Sequence, residues 1–454
     1  MAGTGGESEV VKMEVDYSAE VKRLISDCEM EGTVLSEALE KLLAMEKLTR
    51  TAGDANSTGH ILVFIMKICF GSGDWPLLNE HIVMLTKRRS QLKQAVTKMI
   101  QEACTYVEQT PDLNTKLKLI DTLRTVTEGK IYVEVERARL TRRLAQIQEE
   151  QGNISEAAKI LQDQQVETFG SMEKREKVEF ILEQMRLCLA NHDYVRTQII
   201  SKKISVRFFD TESVQDLKLK YYQLMITLGE HEDAFLTISR HYQAVFDTPL
   251  VRDDPAKRQE ALRNVVLYLL LAPYDNEQND LVQRVSQNKT LEEIPTYRTL
   301  LQQFITMELT GWNSLCEHFD TELRHGVPDA PATGVFSHDT ESGNQRWKMF
   351  HRRVIEHNIR VIATYYARIG FSRMAELLNL TENEVEEHLS CMVVNKTVFA
   401  RTDRPGGVIS FLTPQDPSQT LNVWSHNIDS LMALVNKTTH LVTKEEMVHS
   451  KCMH

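Results

Sequence analysis

The sequence predicts an all-α protein, an α-solenoid of antiparallel helical hairpins that ends in a winged helix and a long C-terminal helix. Three observations lead to this prediction. The 454 residues include only 11 prolines and 19 glycines, well below the roughly 5% and 7% of average usage. Polar turns recur about every 40 residues, and apolar residues near the C-terminus follow a heptad spacing. Few helix breakers and two helical periodicities favour long helices over sheets.

The first part of the chain is predicted to be an arm of repeated helical hairpins. A short polar turn followed by the start of an amphipathic helix occurs five times, and two further turns fall where the spacing doubles. This period suits pairs of antiparallel helices that bury their apolar faces against neighbouring pairs. The alternative is a chance recurrence of polar turns among short helices. The five turns begin at Gly32, Gly73, Gly152, Asn191 and Gly229, and the two others at Thr110 and Gly311.

A smaller module follows a loop-like stretch at residues 327–345, where Pro, Gly, Ser, Asn and Asp are frequent. Two helices are predicted between Arg346 and Leu378, because apolar residues recur there with helical spacing. A capping box formed by Thr381 and Glu384 predicts the start of a third helix.

Two strand-like runs, 397–402 and 407–413, follow this third helix. The residues between them include a Pro-Gly-Gly sequence, which suits a hairpin turn. Three helices followed by a hairpin is the order of elements in a winged helix.

A final helix is predicted after Pro417. Its apolar and near-apolar residues are alternately three and four positions apart over three heptads, the spacing that allows a helix to join a bundle or coiled coil. Packing back onto its own winged helix is the alternative, since Leu434 and Leu441 broaden the stripe. The predicted seam consists of Leu421, Trp424, Ile428, Leu431, Val435, Thr438 and Val442.

The chain is predicted not to be an enzyme, because it lacks the common signatures of catalytic sites. No GxxxxGK[ST] phosphate loop, GxGxxG dinucleotide motif or HExxH zincin motif occurs. No HxH pair with a downstream acidic ligand, the arrangement that a zinc-dependent isopeptidase needs, is present either. His351 and His357 lie on one helical stretch, but without further ligands a solvated or capping role is favoured. We therefore expect no catalytic, cofactor-binding or metal-binding residue.

Charge argues against nucleic acids and membranes as partners. The formal net charge is −11 and the predicted third helix of the winged helix carries four glutamates without a Lys or Arg, so it would repel phosphate. The basic runs at 87–89 and 137–143 lie beside acidic residues and are interpreted as solvated helix faces, with salt bridges to an acidic subunit as the alternative. The longest apolar run, 265–272, is far shorter than the roughly 18 residues of a membrane span.

The hairpin of the winged helix is the second candidate interaction element. A strand at its outer edge can pair with a strand of another chain through main-chain hydrogen bonds. The residues predicted for this edge are Val398, Phe399, Arg401, Val408, Ile409 and Phe411.

Several runs of sequence resemble PCI-domain subunits of the 26S proteasome lid. A helical arm that ends in a winged helix is itself similar to the PCI architecture, which the lid shares with the signalosome and a translation initiation complex. The similarity covers roughly residues 12–447. The runs that carry it include KMEVDYS (12–18), SQLKQA (90–95), LIDTLR (119–124), EGKIYV (128–133), EHNIR (356–360), VNKT (394–397) and NKTTHL (436–441).

This resemblance implies a non-catalytic scaffold subunit of the lid, acting in ATP-dependent degradation of ubiquitinated proteins in the cytoplasm and nucleus. It implies a hetero-oligomer with other PCI-domain lid subunits and the lid deubiquitinase subunit, with contacts to the ATPase base and the core particle, and no cofactor. A PCI-domain subunit of the signalosome is the alternative. The expected domains are an acidic tail (1–18), a helical-repeat arm (19–345, its PCI part from about 245), a winged helix (346–413) and a C-terminal bundle helix (414–454).

Overall fold

Helices account for nearly all of the regular structure in the computed structural model, which describes residues 17–30, 35–326, 333–412 and 416–450. Only three short strands occur in these ranges. The predicted all-α class is therefore confirmed. The chain divides into two units, residues 1–232 and 233–454. None of the helices within the described ranges is long and apolar enough to cross a membrane.

Unit 1 consists of helices that follow one another with short connections and share continuous apolar cores. The predicted acidic tail lies mostly outside the described residues. The helices are α1 (Ser18–Met30), α2 (Leu35–Thr51), α3 (Ala55–Gly71), α4 (Trp75–Lys87), α5 (Lys93–Tyr106), α6 (Leu113–Thr127), α7 (Glu134–Glu150), α8 (Ile154–Gln162), α9 (Lys174–Ala190), α10 (Tyr194–Ser201) and α11 (Gln215–His231).

The predicted polar turns join several of these helices through one backbone geometry. The residue before the N-cap of the next helix adopts a left-handed conformation, with φ of +85° at Gly152 and +59° at His192. At the second turn the N–H groups of His192 and Asp193 donate to carbonyls of α9, which closes that helix. The turn predicted at Gly229 is displaced. Gly229 is buried inside α11, which continues to His231; the turn predicted at Gly32 lies outside the described residues.

Ion pairs between successive repeats account for the basic run at 137–143. Arg139 forms a bidentate pair with Glu176, at 2.7 and 2.9 Å, and this pairing lowers the pKa of the Glu176 carboxyl. Arg142 lies 3.9 Å from Glu179. Since each pair joins residues 37 positions apart, the pairs link one repeat to the next. The run therefore has acidic partners within the chain, whereas the salt bridges considered from the sequence were to another, acidic subunit.

A buried carboxylate explains Arg88 in the other basic run, 87–89. The Glu46 side chain on α2 is fully buried and is bonded by Arg88, while Arg50 Nε donates to it at 3.2 Å. Gln91 donates to the same carboxylate, also at 3.2 Å, and to the Leu85 carbonyl. A buried charge requires such partners, because its desolvation is otherwise uncompensated. Arg88 therefore ties the end of α4 to α2.

Unit 2 begins with helices arranged around α14, whose residues from 261 to 271 are all buried. This burial explains the longest apolar run in the sequence. The helices of this part are α12 (Phe235–Phe246), α13 (Pro249–Arg252), α14 (Pro255–Leu271), α15 (Asn276–Ser286), α16 (Pro295–Ile305) and α17 (Trp312–Asp320).

The winged helix forms the next part of unit 2 and has its own apolar core. The capping box of Thr381 and Glu384 is present as predicted. The long first helix begins at Glu341, five residues before the predicted start, where Thr340 caps it. The elements are α18 (Glu341–Tyr365), β1 (Arg368–Gly370), α19 (Phe371–Leu378), α20 (Glu382–Val394), β2 (Arg401–Asp403) and β3 (Val408–Ser410), followed by α21 (Pro417–Ser450).

The two histidines considered for a metal lie in different surroundings on α18. His357 is buried against Phe304, with ring centroids 5.4 Å apart, and burial together with the charge of Arg360 lowers its pKa to about 4. His351 packs on Trp312 at 4.3 Å. The solvated or capping role predicted for His357 was therefore wrong, since it is a neutral ring in the core.

Candidate interaction surfaces of the winged helix and the terminal helix

The hairpin of the winged helix belongs to a three-stranded antiparallel sheet in the order β1-β3-β2. The sequence did not predict β1, and its pairing with β3 makes β3 the central strand. Val408 and Ile409 therefore lie on an inner strand. Ile409 is 0% exposed, and Phe411 is also buried in the core of the winged helix. Their prediction as edge residues needs correction, because neither an inner strand nor a buried ring is open to a partner.

The outer strand of the hairpin is β2, which pairs with β3 on one side only. Its residues Arg401, Thr402 and Asp403 are all exposed. Just before it, Val398 packs partly against the core of the winged helix and Phe399 is half-buried. The Arg401 guanidinium lies 5.7 Å from the centroid of the Phe399 ring. Of the six predicted edge residues, the structure leaves Arg401 as the most accessible one, with Phe399 beside it.

The tip of the hairpin is fixed to the helical part of the winged helix. Arg404 Nε donates to the Glu386 carboxylate on α20 at 2.7 Å, and the Gly406 N–H donates to Asp403 at 3.3 Å. The Arg404 contact joins the hairpin to α20, and the Asp403 contact closes the turn of the hairpin itself. An edge that is positioned in advance loses less conformational entropy when a partner strand adds to it.

The terminal helix α21 is 34 residues long, and every residue from 416 to 449 is exposed. The structure places all seven predicted seam residues on this helix. Leu431 is 60% exposed and Val435 48%, although both are aliphatic. An isolated, fully solvated helix with so much apolar surface is unusual in a soluble protein. The alternative, that α21 packs back onto its own winged helix, does not fit this exposure.

The apolar surface of α21 is broader than the predicted seam. Met432, Leu434 and Leu441 are exposed beside it, at positions e and g of the heptad whose a and d positions form the seam. From residue 417 to 436 the only charged side chain, counting histidine as neutral, is Asp429. A stripe that covers a, d, e and g fits contact with more than one helix, whereas a two-stranded coiled coil typically has charged residues at e and g.

Three models of known families match the chain, and together they cover most of it. The model described as PSMD12/CSN4, N-terminal, matches residues 37–254, and the PCI domain model matches residues 332–413. The model described as the 26S proteasome regulatory subunit RPN5 C-terminal domain matches residues 418–450, which form most of α21.

Curated relatives align with the chain over nearly its full length. The "26S proteasome regulatory subunit rpn501" of Schizosaccharomyces pombe is 44% identical over 97% of this chain and 98% of its own length. The "26S proteasome non-ATPase regulatory subunit 12" of Dictyostelium discoideum is 45% identical over 91% of this chain and 90% of its own. The "26S proteasome regulatory subunit RPN5" of Saccharomyces cerevisiae is 38% identical over 97% and 98%.

The similarity thus includes both the helical repeats and the exposed C-terminal helix, and it leaves no large segment unmatched. The chain belongs to the family of 26S proteasome non-ATPase regulatory subunit 12, also called RPN5.

Proposed function

We propose that this chain is a non-catalytic scaffold subunit of the lid of the 26S proteasome regulatory particle. In this role it organises lid assembly and braces the lid against the base and the core particle, so that ubiquitinated proteins can be degraded. The observation that carries the proposal is the terminal helix α21, which is apolar along its length and exposed in the isolated chain.

The energetics of α21 favour burial in an assembly. Burying one aliphatic side chain of this size contributes about 1.5–3 kcal/mol. Five exposed aliphatic residues lie along the predicted seam, so the gross contribution is on the order of 10 kcal/mol. The free helix does not receive this stabilisation. A bundle of helices from several subunits supplies it, because such a bundle covers the a, d, e and g positions together.

The winged helix provides a second, directional contact in this proposal. The exposed edge of β2 can pair with a strand or loop from the winged helix of a neighbouring PCI subunit. Arg401 and Phe399 would then determine which neighbour fits. Main-chain pairing orders subunits side by side, while α21 gathers them at one point.

The partners proposed on this basis are other PCI-domain lid subunits and the lid deubiquitinase subunit, with further contacts to the ATPase base and the core particle. The particle is expected in both cytoplasm and nucleus. We also propose the domain boundaries given above, with the bundle helix at 414–454, but with the start of the winged helix moved from 346 to Glu341, where α18 begins. Catalysis is assigned to other subunits.

Native affinity purification of the tagged full-length chain, with mass spectrometry of the proteins that copurify, tests the proposal. We expect proteasome ATPase subunits and core protease subunits in near-stoichiometric amounts. A set of signalosome subunits in their place would contradict the proposal and favour the alternative PCI complex. Recovery of the chain without any large complex would contradict both.

A further inference from the structure

We propose that helix α10 carries a docking surface for a short segment of a partner protein in which an apolar residue is flanked by Asp or Glu. The α10 surface consists of Val195, Ile199 and Lys202 on the helix side that faces solvent, together with Val206 and Arg207 in the turn that follows. The inference goes beyond the function proposed above, since it concerns neither the winged helix nor α21.

The geometry of α10 places the helical residues of the α10 surface opposite the core. Thr197, Ile200 and Ser201 are buried and define the face that packs on unit 1. At 100° per residue, Val195 and Ile199 project from the opposite side of the helix. Their exposed fractions, 70% and 56%, agree with that position. These side chains are thus aliphatic residues at the part of an amphipathic helix where polar residues normally lie.

The neighbouring repeat shows which residues the fold itself requires at these positions. Helices α8 and α10 begin after equivalent N-caps, Asn153 and Asp193. Counting from these caps, Ser155 corresponds to Val195 and Lys159 to Ile199, and both are exposed. Since the same helix position is polar in one repeat and aliphatic in the next, packing within the solenoid does not explain the aliphatic pair.

The edge of the α10 surface is basic. Lys202 and Arg207 are exposed, and neither makes an ion pair or a side-chain hydrogen bond with any residue that the structure describes. The adjacent Lys203, in contrast, contacts Glu167 at 2.6 Å. All the arginines from α7 to α10 reach an acidic or amide side chain; they are Arg137, Arg139, Arg142, Arg143, Arg175, Arg186 and Arg196.

These features indicate which kind of partner the α10 surface can bind. Exposed aliphatic side chains with a polar rim are typical of the core and rim of a protein interface. In a chain of net charge −11, two cations beside that pair, both unpaired among the side chains that the structure describes, favour an acidic segment. A nucleic acid would use the cations but would leave Val195 and Ile199 without an apolar contact. The occupant is therefore a protein segment that supplies an apolar side chain together with a carboxylate.

Site-specific photo-crosslinking tests the inference. A photoreactive phenylalanine analogue replaces Val195 in the tagged full-length chain, and the complex is isolated natively before irradiation. The matched control carries the analogue at Ser155, the equivalent position on α8. The proteins that copurify report on the proposed function, whereas the adduct reports only on the α10 surface. A failure of one proposal can therefore be told apart from a failure of the other.

We expect an adduct at position 195 to a peptide that contains Asp or Glu within one helical turn of the crosslinked residue. The charge reversals Lys202→Glu and Arg207→Glu should reduce its yield about tenfold, while Lys159→Glu on α8 should leave it unchanged. Thermal unfolding of both variants should match that of the unaltered chain. The inference is overturned by a yield no higher than at position 155, by an adduct to nucleic acid or to a peptide without acidic residues, or by insensitivity to the charge reversal.

Discussion

Replacing Leu431 and Val435 with glutamate is expected to abolish incorporation of the chain into its complex while leaving its helical content almost unchanged. Both side chains are largely exposed in the isolated chain, so no packing is lost there, and glutamate is a good helix former. In a helix bundle the two carboxylates would be buried without partners, which costs several kcal/mol. Incorporation is measured by sedimentation of cell extracts, and helical content by circular dichroism of the purified chain.

A matched variant on the opposite side of α21 provides the control. Ala433 and His440 are both exposed and lie at heptad position f, directly away from the seam. Replacing these two with glutamate adds the same number of carboxylates to the same helix, and we expect incorporation to persist. Normal incorporation of the Leu431→Glu, Val435→Glu variant would contradict the role assigned to the seam.

Removing the Arg88 side chain is expected to destabilise unit 1, because it takes a cationic partner from a buried carboxylate. Arg88→Met leaves the buried Glu46 carboxylate with Arg50 and Gln91 only. Loss of one member of a buried ion pair typically costs 3–5 kcal/mol, and we expect about 2 kcal/mol because two partners remain. The measurement is urea unfolding of the full chain, followed by the fluorescence of Trp75 with the other tryptophans replaced by phenylalanine.

The neighbouring residue and the partner carboxylate provide two controls. Arg89 has an exposed side chain, so Arg89→Met should change the free energy of unfolding by less than about 0.5 kcal/mol. Adding Glu46→Gln to Arg88→Met should recover part of the loss, since the buried group is then neutral. Equal effects of Arg88→Met and Arg89→Met would show that the Glu46 contact does not stabilise the unit.

Features determined by local sequence were predictable. The Thr381 and Glu384 capping box depends on four consecutive residues, and the heptad of α21 on a single helix. Strand β1 was missed because its three residues become a strand only by pairing with β3, some 40 positions later. In a hairpin without β1, strand β3 lies at an edge, and this is why Ile409 and Phe411 were assigned to the surface.

The burial of single polar side chains could also not be predicted from the local sequence. His357 follows Glu356 and precedes Asn358, a polar context that favours solvent, yet tertiary packing places it against Phe304. Similarly, the basic run at 87–89 gave no sign of its acidic partner, because Glu46 is about 40 positions earlier. The sequence already indicated that Leu434 and Leu441 broaden the apolar stripe of α21, and counting Met432 with them would have given its full width.

The central claim is that α21, solvated in the free chain, is buried in an assembly. Amide hydrogen exchange of the purified chain alone, compared with the chain inside its native complex, tests this claim most directly. We predict that peptides from residues 421–442 exchange far more slowly in the complex, while peptides from the buried helix α14 change little. Equal exchange of residues 421–442 in both samples would contradict the claim, because a helix buried in a bundle must be protected.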